Sequence, residues 1–164
     1  MADGKILTVI RERFDAPAAL QSIQAASRNV AATIDRKLVY PYYRFKASCK
    51  VPTLTGKQDI SVECLVDGLN GLGATADPFA TDRLWVSEEA QLTLCISSEV
   101  AQREAQRTVT HQLGRKLRMI APFDVSLEAT GVIYRSFWIV RIGDVRIMLD
   151  SVTGSTHPLV ASAA

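Results

Sequence analysis

The chain holds little of what small catalytic and metal-binding proteins rely on. Two histidines, His111 and His157, occur in 164 residues. The three cysteines, Cys49, Cys64 and Cys95, form no Cys-x-x-Cys pair, so a zinc site of the usual spacing is excluded. An odd cysteine count fits a reducing compartment. There is no Gly-rich phosphate loop, no Gly-x-Ser-x-Gly elbow and no His-Glu-x-x-His, so the sequence assigns no catalytic residue, metal or cofactor. No apolar run approaches the roughly 18 residues that span a bilayer. The stretch Ile6 to Ile10 is too short for a signal peptide. The expectation is a cytoplasmic protein without a membrane role. Neither charge sign dominates: 19 Lys and Arg stand against 17 Asp and Glu. That balance makes nucleic acid an improbable main partner.

What is present is an ordinary globular mix, 48% hydrophobic and 22% charged. A mean hydropathy of +0.09 is slightly apolar. Part of the surface is therefore expected to be covered by a protein partner or by a second copy in a homo-oligomer.

The pattern along the chain predicts two passes of one order. Lys5 to Ile10 reads as a short strand. Asp15 and Pro17 then open a helix, with Leu20, Ile23, Val30 and Ile34 on one face. It should end before Tyr40-Pro41. Residues 43–51 and 60–67 both alternate, predicting a hairpin with a Gly56-Lys57 turn. In that register Lys50 faces Glu63, Lys46 faces Asp67, and Cys49 faces Cys64. The second pass begins with a strand candidate at Gln91 to Ile96. Ser97 or Ser98 caps a helix to about Leu117, with Ala101, Ala105, Val109 and Leu113 on one face. An additional strand at Asp124 to Ala129 precedes a second hairpin, Val132 to Ile142 and Val145 to Asp150, across Gly143-Asp144.

The fold class expected is α+β: two β-α-β-β repeats forming antiparallel sheet with helices on one face. Residues 1–73 make the first half, 74–90 a linker and 91–164 the second half, together a single compact unit. Each hairpin should be roofed by the helix just upstream. The second arms end alike, in Val66-Asp67 with Asn70-Gly71 and in Leu149-Asp150 with Thr153-Gly154. Helix, strand, turn, strand and an apolar–Asp–x–x–(Asn or Thr)–Gly stop resemble the PepSY repeat, here in two copies. The resemblance implies protein binding or inhibition and transfers no functional residue.

Two groups stand out as candidate contact residues. Tyr40, Tyr42, Tyr43 and Arg44 surround Pro41, and tyrosine and arginine are enriched at binding hot spots. The alternative is a core rim holding a helix on the sheet. Arg103, Arg107, His111 and Arg115 recur every four residues on the second helix. They read as a basic stripe for phosphate or an acidic protein surface, or as a solvated face with Glu99 pairing Arg103. The leading functional expectation is a non-catalytic interaction module: an adaptor, assembly factor or accessory subunit. Alternatives are a small-molecule binder or enzyme with a pocket lined by Tyr42, Arg44 and Trp138, and a nucleic-acid accessory protein using the stripe.

Overall fold

A computed structural model describes residues 3–27, 30–117 and 124–159. Their order is β1 (Gly4–Ile10), α1 (Ala16–Ala26), β2 (Ala32–Thr53), β3 (Gly56–Asp67), β4 (Gly73–Ala76), β5 (Thr81–Ser87), α2 (Ser98–Leu117), β6 (Val125–Ile142), β7 (Val145–Asp150) and β8 (Thr156–Leu159). The class is mixed α+β, with mostly antiparallel pairing.

The chain divides into two compact units, and the division does not follow the sequence halves. One unit takes Met1–Tyr40, Ala80–Leu92 and Tyr134–Ala164; the other takes Pro41–Phe79 and Thr93–Ile133. The long strands β2 and β6 each contribute to both. The stretch expected as a linker, 74–90, holds most of β4 and all of β5. It is structural because its backbone groups are used: β5 pairs with β1 along its whole length.

In the first unit β1 and β5 run antiparallel from Gly4 opposite Ser87 to Ile10 opposite Thr81. Val9 bridges Tyr134 of β6 in parallel sense. β6 and β7 form a hairpin closed by Ile142 opposite Val145. Gly143 opens its loop at φ +59°, the positive φ that a tight hairpin turn requires there. Asp15 caps α1, accepting the Ala18 N–H at 2.9 Å. The helix buries Ala19 and Ile23 against Ala32, Val140 and Leu149. A neighbouring cluster joins Leu7, Val9, Val39 and Val86.

In the second unit β2 and β3 pair from Tyr42 opposite Asp67 to Thr53 opposite Gly56, and β4 adds to β3. Ser97 caps α2, accepting the Val100 N–H at 3.2 Å. Ala101, Ala105, Val109 and Leu113 follow at four-residue spacing and are all buried. They share one core with Phe45, Ala47, Cys49, Cys64 and Val66. This is the helical stripe read from the sequence, meeting the apolar face of the first hairpin.

The helices are thus exchanged between halves. α1 covers the β6–β7 hairpin and α2 covers β2–β3, not the hairpins immediately downstream. Chain length explains the correction. From the end of α1 the chain must run through β2 to Phe45 before the apolar face of the first hairpin begins. The 13 steps from Ala32 to Phe45 extend over roughly 43 Å. An 11-residue helix is only about 16 Å long and cannot roof a surface so far along the strand.

Other expectations need correction. α1 ends at Ala26, and Ile34 lies on β2; the β-formers Thr33, Ile34, Val39 and Tyr40 follow their strand preference. The stretch after Gln91 is not a strand: Gln91 makes one bridge to Val39. The Cys95 and Ile96 N–H groups donate to the Gly68 carbonyl, at 2.8 and 3.2 Å. The strand expected at Asp124 to Ala129 is the start of β6, continuous through Gly131 at φ +107°. The first hairpin turns at Leu54-Thr55, four residues off the expected register, so Cys49 faces Ile60 and Cys64 faces Phe45. An even shift leaves every side chain on its face. It also keeps opposite charges opposed, now Lys46 to Glu63 and Lys50 to Asp59.

Candidate functional site

The tyrosine cluster and Arg44 lie along β2, and three of the four have identified partners. Tyr40 meets Phe137 edge-on, with ring centroids 6.4 Å apart. Tyr43 donates its hydroxyl to the Ile96 carbonyl at 2.7 Å and packs on the second unit's core. Arg44 makes a two-pronged pair with Glu63, both contacts 2.9 Å, and stacks over Phe79 at 4.8 Å. The Arg44 hydrogen bonds hold the Glu63 carboxyl below its ordinary range; burial opposes them, and the charges of Arg44 and Lys46 add to the lowering. Tyr42 is half-buried on β2. Tyr40, Tyr43 and Arg44 thus each have a partner within the fold.

The two Asp-to-Gly stops make the same bonds. Asp67 accepts the Leu69 and Asn70 N–H groups on one oxygen, at 2.8 and 3.1 Å. Its carbonyl accepts the Gly71 N–H at 2.9 Å, and Asn70 accepts the Leu72 N–H. Asp150 accepts Val152 and Thr153 at 2.9 and 3.4 Å. Its carbonyl accepts the Gly154 N–H at 2.8 Å, and Thr153 accepts the Ser155 N–H. Gly71 and Gly154 sit at φ +78° and +77°, where glycine alone is unstrained. These are Asx-turns that end a strand and start the next. Asp150 additionally pairs with Arg135 at 2.6 Å. Burial works against its charge, but the Arg135 and backbone hydrogen bonds win and hold its carboxyl below the usual range.

Sequence reasoning missed a buried polar cluster in the first unit. Ser136 and Ser151 are fully buried, with hydroxyls 2.6 Å apart. Ser136 donates to Glu12 at 2.8 Å and Ser151 to the Ser136 carbonyl at 2.8 Å. Glu12 pairs with Lys37, whose ammonium lies 4.9 Å over the Trp138 ring. No buried side-chain polar atom among the described residues lacks a partner. No signal in the sequence joins residues 12, 37, 136 and 151, because only tertiary pairing brings them together.

The α2 stripe is different. Arg103, Arg107, His111 and Arg115 are all exposed. Glu104 approaches Arg107 at 3.8 Å, with Arg107 81% exposed; such a contact contributes little. The expected Glu99–Arg103 ion pair is not formed among the described residues. Val100, 40% exposed, shares this face, and Leu72, 68% exposed, lies next to Gly73, whose backbone abuts Thr108 of α2. The result is a basic ridge with one apolar point, Val100, on a helix fixed from beneath.

The second unit also has an open cleft of about 780 Å³ bounded by Lys46, Glu63, Asp77, Lys116 and Glu128, among others. Tyr42, Arg44 and Trp138, expected to line a pocket, do not line it. No helix is long and apolar enough to cross a membrane, among the described residues. Comparison with known protein families, curated proteins and solved structures finds no match to this chain.

Proposed function

We propose that the protein is a non-catalytic interaction module, an adaptor or accessory subunit, that docks an acidic protein segment on the outer face of α2. The observation that carries this is the exposed row Arg103, Arg107, His111 and Arg115 on a helix whose opposite face is locked in the core. Successive members lie about 6 Å apart along the axis. An acidic helix with carboxylates at the same spacing matches that repeat. Val100 favours a protein partner, since it offers apolar contact that a phosphate backbone does not use. The absence of an aromatic within the row also weakens base stacking as a mode of binding.

The test is a titration of the full chain with a fluorescent glutamate-rich helical peptide, with single-stranded RNA and duplex DNA in parallel. Binding of the peptide that weakens with salt and is lost in Arg103→Glu/Arg107→Glu supports the reading. Tighter binding of either nucleic acid, or no binding of the peptide at low salt, overturns it.

A duplicated origin for the two halves is part of the same reading. Its support is the matching bond pattern of the Asp67 and Asp150 stops, down to the Asn70 and Thr153 acceptors. The PepSY-like resemblance, resting on those same residues, agrees with a protein-binding role.

A further inference from the structure

The outer edge of the first unit carries a second, independent feature. β5 pairs with β1 on one side and ends the strand order on the other. Exposed strand edges are normally blunted by shortness, proline, a bulge or charged side chains. Two other edges are short: β4 has four residues, and β8 has four including Pro158. β5 carries the charges Asp82 and Arg83 but none of the other devices. It has seven residues, no proline and an unbroken register with β1.

Which backbone groups are free follows from the ladder. Arg11 N–H donates to the Ala80 carbonyl and Glu88 N–H to that of Asp3. Even-numbered residues of β5 therefore turn their N–H and C=O toward β1, and Thr81, Arg83 and Trp85 turn theirs outward, as does Ser87, whose carbonyl accepts the Gln91 side chain at 3.4 Å. The side chains of Arg83 and Trp85 are exposed, Trp85 by 58%. Ile6, opposite Trp85 on β1, is 57% exposed. A large apolar pair thus borders an unpaired edge.

We propose that β5 is the docking edge for a second copy of this chain, paired antiparallel about a twofold axis at Leu84, with Arg83 of each copy opposite Trp85 of the other. Two-fold pairing through the outward groups near the strand centre can be centred on residue 83, 84 or 85. Centring on 83 sets Arg83 against Arg83. Centring on 85 sets Asp82 against Glu88. Like charges directly opposite are destabilising. Centring on 84 opposes no like charges. It places Asp82 against Val86, Leu84 against Leu84, and each Arg83 guanidinium beside a Trp85 ring, a cation–π arrangement used twice. The edge is complementary to itself in that one register, and four main-chain hydrogen bonds between residues 83 and 85 close it.

Sedimentation velocity of the full chain over a concentration series tests this. Reversible dimerisation is expected, weakened about tenfold or more by Trp85→Lys, which brings like charges together at both ends. Arg83→Glu added to Trp85→Lys should restore it, because each Glu then faces a Lys. Arg83→Pro should also abolish dimers, since the N–H it removes points away from β1 and the fold's own ladder is spared. A strict monomer at all concentrations overturns the proposal. So does a dimer indifferent to Trp85→Lys, or one that Arg83→Glu/Trp85→Lys fails to restore.

Discussion

Gly73 gives the sharpest handle on how α2 sits on its hairpin. A methyl group added to Gly73 would overlap Thr108 Oγ1 and stand 3.1 Å from Thr108 Cβ and 3.4 Å from Cγ2. Overpacking of this kind costs about 1–3 kcal/mol. Against it, alanine restricts the unfolded chain and contributes about 0.4–1 kcal/mol in favour of folding. The clash wins, so Gly73→Ala should destabilise by about 1–2 kcal/mol. Thr108→Ala removes Oγ1 and Cγ2 and leaves only the 3.1 Å Cβ approach, which a small shift relieves. In that background Gly73→Ala should be neutral or stabilising, a coupling of about 1 kcal/mol or more. Urea midpoints at unchanged m-value measure all four corners of the cycle. Equal effects of Gly73→Ala in both backgrounds would refute the packing of α2 against β4.

Further outcomes follow from the same geometry. Asp150→Asn breaks a largely buried ion pair with Arg135 and should cost about 3 kcal/mol, read by urea unfolding. Because the Asp150 and Glu63 carboxyls titrate below their ordinary values, their contribution is present above about pH 4 and is lost as pH falls through the depressed values. Thermal melts below that pH should fall less steeply for Asp150→Asn than for wild type. Ser136→Ala strips a partner from both Ser151 and Glu12 and should cost about 1–3 kcal/mol. Burial pushes the Cys64 thiol up to about 11 and raises that of Cys49, whereas Cys95 is exposed. A thiol reagent at neutral pH should label one cysteine in the native protein and three in denaturant; two fast-reacting thiols would contradict the buried placement.

Local chemistry was legible wherever it is self-contained. The Asp15 cap, the Gly143 turn and the Ala101-to-Leu113 stripe all stand where the residue pattern puts them, and the α2 cap is Ser97 of the two serines the pattern offers, since each depends on a few neighbouring side chains. The faces of the first hairpin were legible too, but its register was not. A period of two identifies a face, and the Lys and acid positions recur at the same spacing, so a slip of four residues satisfies both patterns. α1 was read too long because Val30 and Ile34, which lie beyond its end, continue the helical spacing by coincidence. The tyrosines and Arg44 read equally as contact residues or as a core rim, because aromatic and arginine residues serve both. The partners that the structure gives Tyr40, Tyr43 and Arg44, namely Phe137, Ile96, Glu63 and Phe79, lie far away in sequence. The exchange of helices between hairpins was hidden for the same reason. Both hairpins offer apolar strips, and only the length of β2 and β6 determines which helix reaches which strip.

That exchange packs the Ala101-to-Leu113 stripe of α2 on the first hairpin and leaves the Arg103-to-Arg115 row exposed. Methyl–methyl nuclear Overhauser contacts in the 164-residue chain measure it directly. Cross-peaks joining Val109 and Leu113 to Val51 and Val66, and Ile23 to Val140 and Leu149, are the expected result. Cross-peaks from Val109 to Val140 or Leu149 instead would contradict it.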